Sequence, residues 1–288
     1  MRRTINKNMK QLFTIFSLGA CFALASCGNN ATKQESETPE DTTQVTVHTL
    51  KTEEVSYPED TTTAKSYIAY EEGHAGKLPV VIVVPEWWGM NEYAKRRARE
   101  LAGLGYFAVA VDLYGNGKVA DNPADAKAFA TPFYQNPQLA LGRIQAALAK
   151  AFSYEVADSS RTAAIGYCFG GSMVLNAARL GQPFKGVVSF HGGLAGVPAS
   201  PKLTARVLVL HGGADKFVSE AEVAGFRKQM DSVKANYIFK EYPGATHAFT
   251  NPDATETGKK FNMPISYNGA ADTASWQEMK QFLGEVLQ

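Results

Sequence analysis

The chain has 288 residues, of which 29 are basic and 28 acidic. Hydrophobic residues make up 45% and charged residues 20%, a balance that suits a globular body and excludes a disordered or collagen-like one. Residues 1–26 hold Arg2, Arg3, Lys7 and Lys10 and no acid; without them 25 bases face 28 acids, and such a body offers no basic surface to a nucleic acid.

Residues 12–25 form an uncharged, mostly apolar run of 14, too short for the roughly 20 residues that span a bilayer. Behind a basic start, a run of this length predicts a secretory signal peptide over 1–26. Its end, Leu24-Ala25-Ser26-Cys27, resembles the lipobox of bacterial lipoproteins. That resemblance implies lipidation at Cys27, attachment to a membrane surface, and a place in the bacterial cell envelope as a periplasmic or outer-membrane lipoprotein. Residues 28–44 (GNNATKQESETPEDTTQ) have no large apolar side chain to bury. Together with Cys27 they read as a disordered tether, 27–44, ahead of one domain over 45–288. Cys21 leaves with the signal, so Cys168 is the body's lone thiol, either a buried small hydrophobe or a reactive group.

Strands are predicted at 45–50 and 65–70. Residues 79–85 (PVVIVVP) are a continuous β-branched run, the mark of a strand buried on both faces. A helix follows at 91–105 and a buried strand at 106–112. Residues 123–151 are rich in Ala, Leu and Gln, with breaks expected at Pro132 and Pro137, hence two helices. Further strands are expected at 161–166, 184–190, 205–211 and 237–242, and helices at 170–180, 220–233 and 273–287. This alternation predicts an α/β fold with a mostly parallel sheet covered by helices on both faces.

Sites in such sheets lie past the carboxyl ends of the strands. There the chain places Glu86-Trp87-Trp88-Gly89, Gly166-Tyr167-Cys168-Phe169-Gly170, His211-Gly212-Gly213-Ala214-Asp215 and Pro243-Gly244-Ala245-Thr246-His247. Gly-x-Cys-x-Gly has the form of a nucleophile elbow, whose sharp strand-to-helix turn leaves no room for flanking side chains. A glycine-rich turn around a buried cysteine would look the same. Asp215 and His247 follow in the elbow order of nucleophile, acid, base. His48, His74, His191 and His211 all precede Asp215 and fit as structural histidines. Ser172 is a rival nucleophile but falls inside the helix. In this reading His247 takes the proton of Cys168, Asp215 orients the imidazole, and the backbone N–H groups of Phe169 and Trp87 form an oxyanion hole. Glu86, at a strand end between apolar neighbours, is a candidate for a raised pKa. Trp87, Trp88 and Tyr114 suggest an aromatic-walled substrate pocket. No HExxH, CxxC pair or P-loop occurs, so neither a metal nor an organic cofactor is implied.

GYCFGG, PEWWGMNEY, VAVDLYG, VVSFHGG, HGGAD and YPGATHAF, in this order, together with FNMPISYNGAADTASWQEMKQFL, resemble the dienelactone hydrolase family of α/β-hydrolases over about residues 60–288. The resemblance implies an α/β-hydrolase fold, a triad of Cys168, His247 and Asp215, and a Glu86 that contacts the resting thiol and helps to activate it. It also implies a small-molecule ester, lactone or thioester substrate. Characterised lactone hydrolases of the family hold a substrate carboxylate with arginines, one after the DLY strand end and one shortly after the histidine. Here residues 114–122 offer only Lys118, and residues 248–251 have no arginine. A carbohydrate acetyl-esterase, a peptidase-like enzyme, and a non-catalytic surface-binding lipoprotein are the alternatives on the same scaffold.

Overall fold

The computed structural model describes residues 49–201 and 203–288. The expected signal segment, Cys27, the tether and residues 45–48 of the first expected strand lie outside the described residues. In chain order the elements are β1 (Thr49–Glu59), β2 (Thr62–Glu72), β3 (Leu78–Val84), α1 (Glu92–Ala102), β4 (Phe107–Ala110), α2 (Pro123–Gln135), α3 (Pro137–Ala151), β5 (Ala157–Tyr167), α4 (Phe169–Arg179), β6 (Gly186–Phe190), β7 (Arg206–Gly212), α5 (Glu220–Ser232), β8 (Tyr237–Tyr242), α6 (Ala254–Phe261) and α7 (Gly269–Val286).

The β-branched run of β3 lies near the middle of an eight-stranded sheet ordered β1-β2-β4-β3-β5-β6-β7-β8. From β4 to β8 all neighbours are parallel, while β1–β2 and β2–β4 are antiparallel. Side chains of a strand alternate between faces, and β3 divides accordingly. Val80, Ile82 and Val84 pack with Ile144 and Leu148 of α3 and Met173 and Val174 of α4. Val81 and Val83 pack with Ala98 and Leu101 of α1 and Met279, Phe282 and Leu283 of α7. Helices therefore cover both faces, as expected of a doubly covered parallel sheet.

Two expectations need correction, and one element was not expected. The first strand runs through Glu59 rather than ending at residue 50, because Val55, Tyr57 and Glu59 turn inward in alternation while Ser56 and Pro58 between them face out. Pro132 does not break a helix: it lies inside α2, and the break falls at Asn136, whose side chain caps the start of α3 through the Gln138 N–H. Residues 254–261, which the sequence reading assigns to no element, form α6, closed by left-handed Asn262.

Candidate active site

The parallel strands β3, β5, β7 and β8 all end on one edge of the sheet, which brings their following residues together. Tyr167 closes β5 and Cys168 starts the turn into α4 with φ 53 and ψ −117, a strained conformation for a residue with a side chain. Close approach explains the flanking glycines. A Cβ on Gly166 would lie 2.2 Å from the Gly170 carbonyl oxygen, and one on Gly170 would lie 2.1 Å from that of Val84. The Cys168 N–H is held twice, by the Phe190 carbonyl at 3.0 Å and by His191 Nδ1 at 3.1 Å.

Cys168 Sγ lies 2.9 Å from His247 Nε2, and His247 Nδ1 lies 2.7 Å from Asp215 Oδ2. The other Asp215 oxygen accepts the Phe217 N–H at 2.8 Å, which fixes the carboxylate. Phe217 and His191 both set ring edges against the His247 imidazole, at 5.0 and 5.4 Å between centroids. Burial works against a charge on His247, but the neighbouring Cys168 and Asp215 outweigh it and push its pKa up to about 10.

Trp87 follows Glu86 in a turn closed by the Gly89 N–H on the Glu86 carbonyl. Its own N–H is not the donor that closes this turn. Phe169 is the first residue of α4, where an N–H has no intrahelical acceptor. Both expected oxyanion donors therefore belong to residues that line one cavity with Cys168, and their N–H groups lie outside the regular ladders.

Glu86 is buried, and burial pushes its carboxyl up to about 7, against the opposing pull of Asn251, His247 and Arg97. The contact implied between Glu86 and the resting thiol is not the one found. Asn251 Nδ2 donates to Glu86 Oε2 at 2.7 Å, while the thiol faces His247. Tyr114 also differs from expectation. It is buried behind the pocket wall, packed on Phe129, Phe133 and Phe169, and its hydroxyl donates to the Trp87 carbonyl at 2.9 Å. It holds the Trp87 turn and does not line the cavity, because an inward phenol meets a carbonyl there before it meets solvent.

Thr250, Tyr93, Arg97 and Asn251 escaped the sequence reading, while His191 has the hydrogen-bonded structural role expected of it. His191 is buried, and burial first, then the charges of His247 and Arg97, hold its pKa well below the usual range. A neutral ring that accepts at Nδ1 carries its proton on Nε2. It therefore donates to Thr250 Oγ1 at 2.7 Å, and Thr250 in turn meets the Tyr93 hydroxyl at 2.7 Å. Arg97 closes the series, 3.0 Å from the Thr250 carbonyl. Among the described residues no cluster of His, Cys, Asp and Glu is arranged to hold a metal ion.

Comparison with known proteins fits this arrangement. The dienelactone hydrolase family pattern matches residues 65–287. The chain belongs to the dienelactone hydrolase family. A crystal structure of a dienelactone hydrolase-like promiscuous phosphotriesterase from metagenomic libraries is 31% identical, with a TM-score of 0.78 over 83% of this chain and 99% of that one. A Yersinia pestis protein with the provisional name carboxymethylenebutenolidase is 28% identical over 81% of this chain and 90% of its own. A Bradyrhizobium protein with the provisional name 2-oxo-3-(5-oxofuran-2-ylidene)propanoate lactonase is 28% identical over 60% of this chain and 74% of its own. This dienelactone hydrolase family member has the α/β-hydrolase fold and is a hydrolase of ester bonds.

Over Cys168 this hydrolase has a cavity of about 480 Å³. Trp87, Trp88, Phe217, Met263 and Ile265 give it an apolar wall. Trp88 meets Trp87 edge-on and stacks on Phe261 at 6.0 Å, so α6 braces the wall. Ser172 lies in α4 one turn beyond Cys168, inside the helix and not at the strained apex, as its position in the sequence predicts.

Proposed function

We propose that this hydrolase cleaves a small-molecule ester, lactone or thioester through a Cys168–His247–Asp215 triad. The observation that carries the reading is the unbroken series from Sγ through the imidazole to the Asp215 carboxylate, starting from a strained elbow. The Cys168 thiolate attacks the substrate carbonyl and forms a C–S bond. Charge collects on the carbonyl oxygen, within reach of the Trp87 and Phe169 N–H groups. The tetrahedral intermediate collapses, the C–O bond (or C–S bond of a thioester) breaks, and the His247 imidazolium gives its proton to the leaving group. His247 then takes a proton from water, the hydroxide attacks the thioester, and the acid leaves as the thiolate is restored. Asp215 keeps the imidazole in one tautomer throughout.

The relatives' names widen the test panel to a carboxylate-bearing lactone and a neutral phosphotriester. The test is turnover of phenyl acetate and these compounds by wild type, Cys168→Ala and Cys168→Ser, with mass detection of an acyl adduct on Cys168. Loss of several orders of magnitude in Cys168→Ala supports the mechanism. Wild-type turnover in that variant would overturn it and reopen Ser172.

The Cys27 lipobox supports a second part of the proposal, a body held at the envelope membrane surface. No described helix is long and apolar enough to cross a membrane. Cys27→Ala should move the protein from the membrane fraction to the soluble one; equal retention would remove the anchor.

A further inference from the structure

The catalytic cavity has a polar corner one helical turn from the thiol. Ser172 follows Cys168 on α4, its N–H bonded to the Cys168 carbonyl at 3.2 Å. It is 2% exposed, it lines the cavity, and its Oγ has no hydrogen-bond partner among the described residues. The Tyr134 hydroxyl faces it without completing a bond of ordinary geometry. A buried hydroxyl left unpaired is costly unless something else fills the place.

Glu222 lines the same corner. It stands three residues after the N-cap Ser219, where a glutamate commonly turns back to its own helix start. This one reaches across instead, and its Oε1 accepts the N–H groups of Leu194 at 2.5 Å and Ala195 at 2.9 Å. Both donors fall on one oxygen, which leaves Oε2 with its lone pairs for another group. Between Ser172 and Glu222 lies Gly193. A Cβ there would stand 3.1 Å from Ser172 Oγ and 3.7 Å from Glu222 Oε1. The missing side chain keeps open a gap that both oxygens face. Besides the His247 imidazolium, already paired with Cys168 and Asp215, the cation on the lining is Lys127, an exposed residue of α2, and a solvated ammonium is a weak anchor for an anion.

We propose that Glu222, Ser172 and the gap over Gly193 form a specificity subsite that takes a hydrogen-bond-donating or cationic substituent of the substrate, an amine or a hydroxyl, and disfavours a carboxylate. This rests on the reading of Cys168 as the nucleophile. Glu222 accepts from the donor and Ser172 completes its pairing; neither takes part in bond making.

The test uses four acetates with matched leaving groups: phenyl, para-aminomethylphenyl, para-hydroxymethylphenyl and para-carboxyphenyl. Wild type should favour the aminomethyl ester over the carboxy ester by about tenfold or more in kcat/KM, the size of one charge-assisted hydrogen bond. Glu222→Gln keeps an acceptor for Leu194 and Ala195 but removes the charge, and should bring that ratio towards unity. Gly193→Ala fills the gap, its methyl set against both oxygens while leaving both side chains in place, and should compress the ranking of all four. The same ranking is read without turnover from protection of Cys168 against iodoacetamide by benzylamine, benzyl alcohol and benzoate. A wild-type preference for the carboxy ester or benzoate, or a ratio unmoved in both variants, overturns the subsite. Loss of that preference in Lys127→Ala would assign recognition to the mouth instead. Failure of the nucleophile itself is separate, since it appears as Cys168→Ala still hydrolysing phenyl acetate.

Discussion

The backbone N–H of Cys168 donates to His191 Nδ1 at 3.1 Å, so a histidine outside the triad holds the turn that carries the thiol. The neutral ring passes this constraint through Thr250 to Tyr93, tying the elbow to α1. We expect His191→Asn, which tolerates the positive φ of 40 at this position, to lower kcat about tenfold or more while KM moves little. The rate of Cys168 alkylation against pH should shift as well. A variant that only melts earlier, with kcat and alkylation unchanged, would return His191 to a packing role.

The two glycine environments predict opposite outcomes for one substitution. On Gly170 a Cβ would meet the Val84 and Pro85 carbonyls at 2.1 and 2.5 Å, and the Val84 carbonyl cannot retreat because β3, which ends there, is paired on both sides. Gly170→Ala should cost more than about 4 kcal/mol or prevent folding. Gly142 lies on the exposed side of α3 with nothing within 4 Å. Gly142→Ala should stabilise by up to about 1 kcal/mol. Urea unfolding of both variants checks the pair.

The site's residues were legible where they obey a local rule. A buried β-branched run marks β3 and a buried apolar run marks β4, and residues just past strand ends are where an α/β sheet presents its chemistry. Cys168, Asp215 and His247 each come just after a predicted strand. Asn251 was not legible as a partner of Glu86, because 165 residues separate them and no short-range pattern joins an amide to a carboxylate. His191 reads as another strand-end histidine until β6 is set beside β5, which brings its ring under the elbow. Tyr114 was read as pocket wall from its type; only the Trp87 carbonyl decides which way the phenol points. The charged first half of β1 hides a strand whose single neighbour, β2, lets alternate residues remain in water.

Arg97 is buried between α1 and α7, bonded to Asp272 at 2.5 Å, Glu100 at 2.9 Å and the Thr250 carbonyl at 3.0 Å. Its guanidinium also lies 4.8 Å from the Trp276 ring centre. Arg97→Met should destabilise by about 3–5 kcal/mol, because the Asp272 carboxylate, itself largely buried, is left unpaired. Adding Asp272→Asn should recover part of the loss. Unfolding free energies of the single and double variants measure the coupling, and simple additivity would mean that the pair contributes nothing.

Glu86 makes stability depend on pH in a direction that can be worked out. Its carboxyl titrates at about 7 in the folded protein, against about 4.5 when unfolded. Below the unfolded value both states are protonated and burial costs nothing. As pH rises from there, the unfolded chain loses its proton first, so the folded state binds more protons and stability falls. The loss is complete once pH passes the folded value. A shift of this size corresponds to about 3 kcal/mol. Glu86→Gln is neutral throughout and keeps an acceptor for Asn251, so it should gain on wild type by up to that amount between about pH 4.5 and pH 8. Urea unfolding at steps across the range, with the two curves subtracted, isolates this group from the rest. The same variant should be alkylated faster at Cys168, because a negative charge near the thiolate is gone, yet turn over ester more slowly if the carboxylate helps to activate the thiol. Parallel stability curves would show a carboxyl that titrates normally, and unchanged alkylation and turnover between about pH 5 and pH 9 would leave Glu86 out of the chemistry.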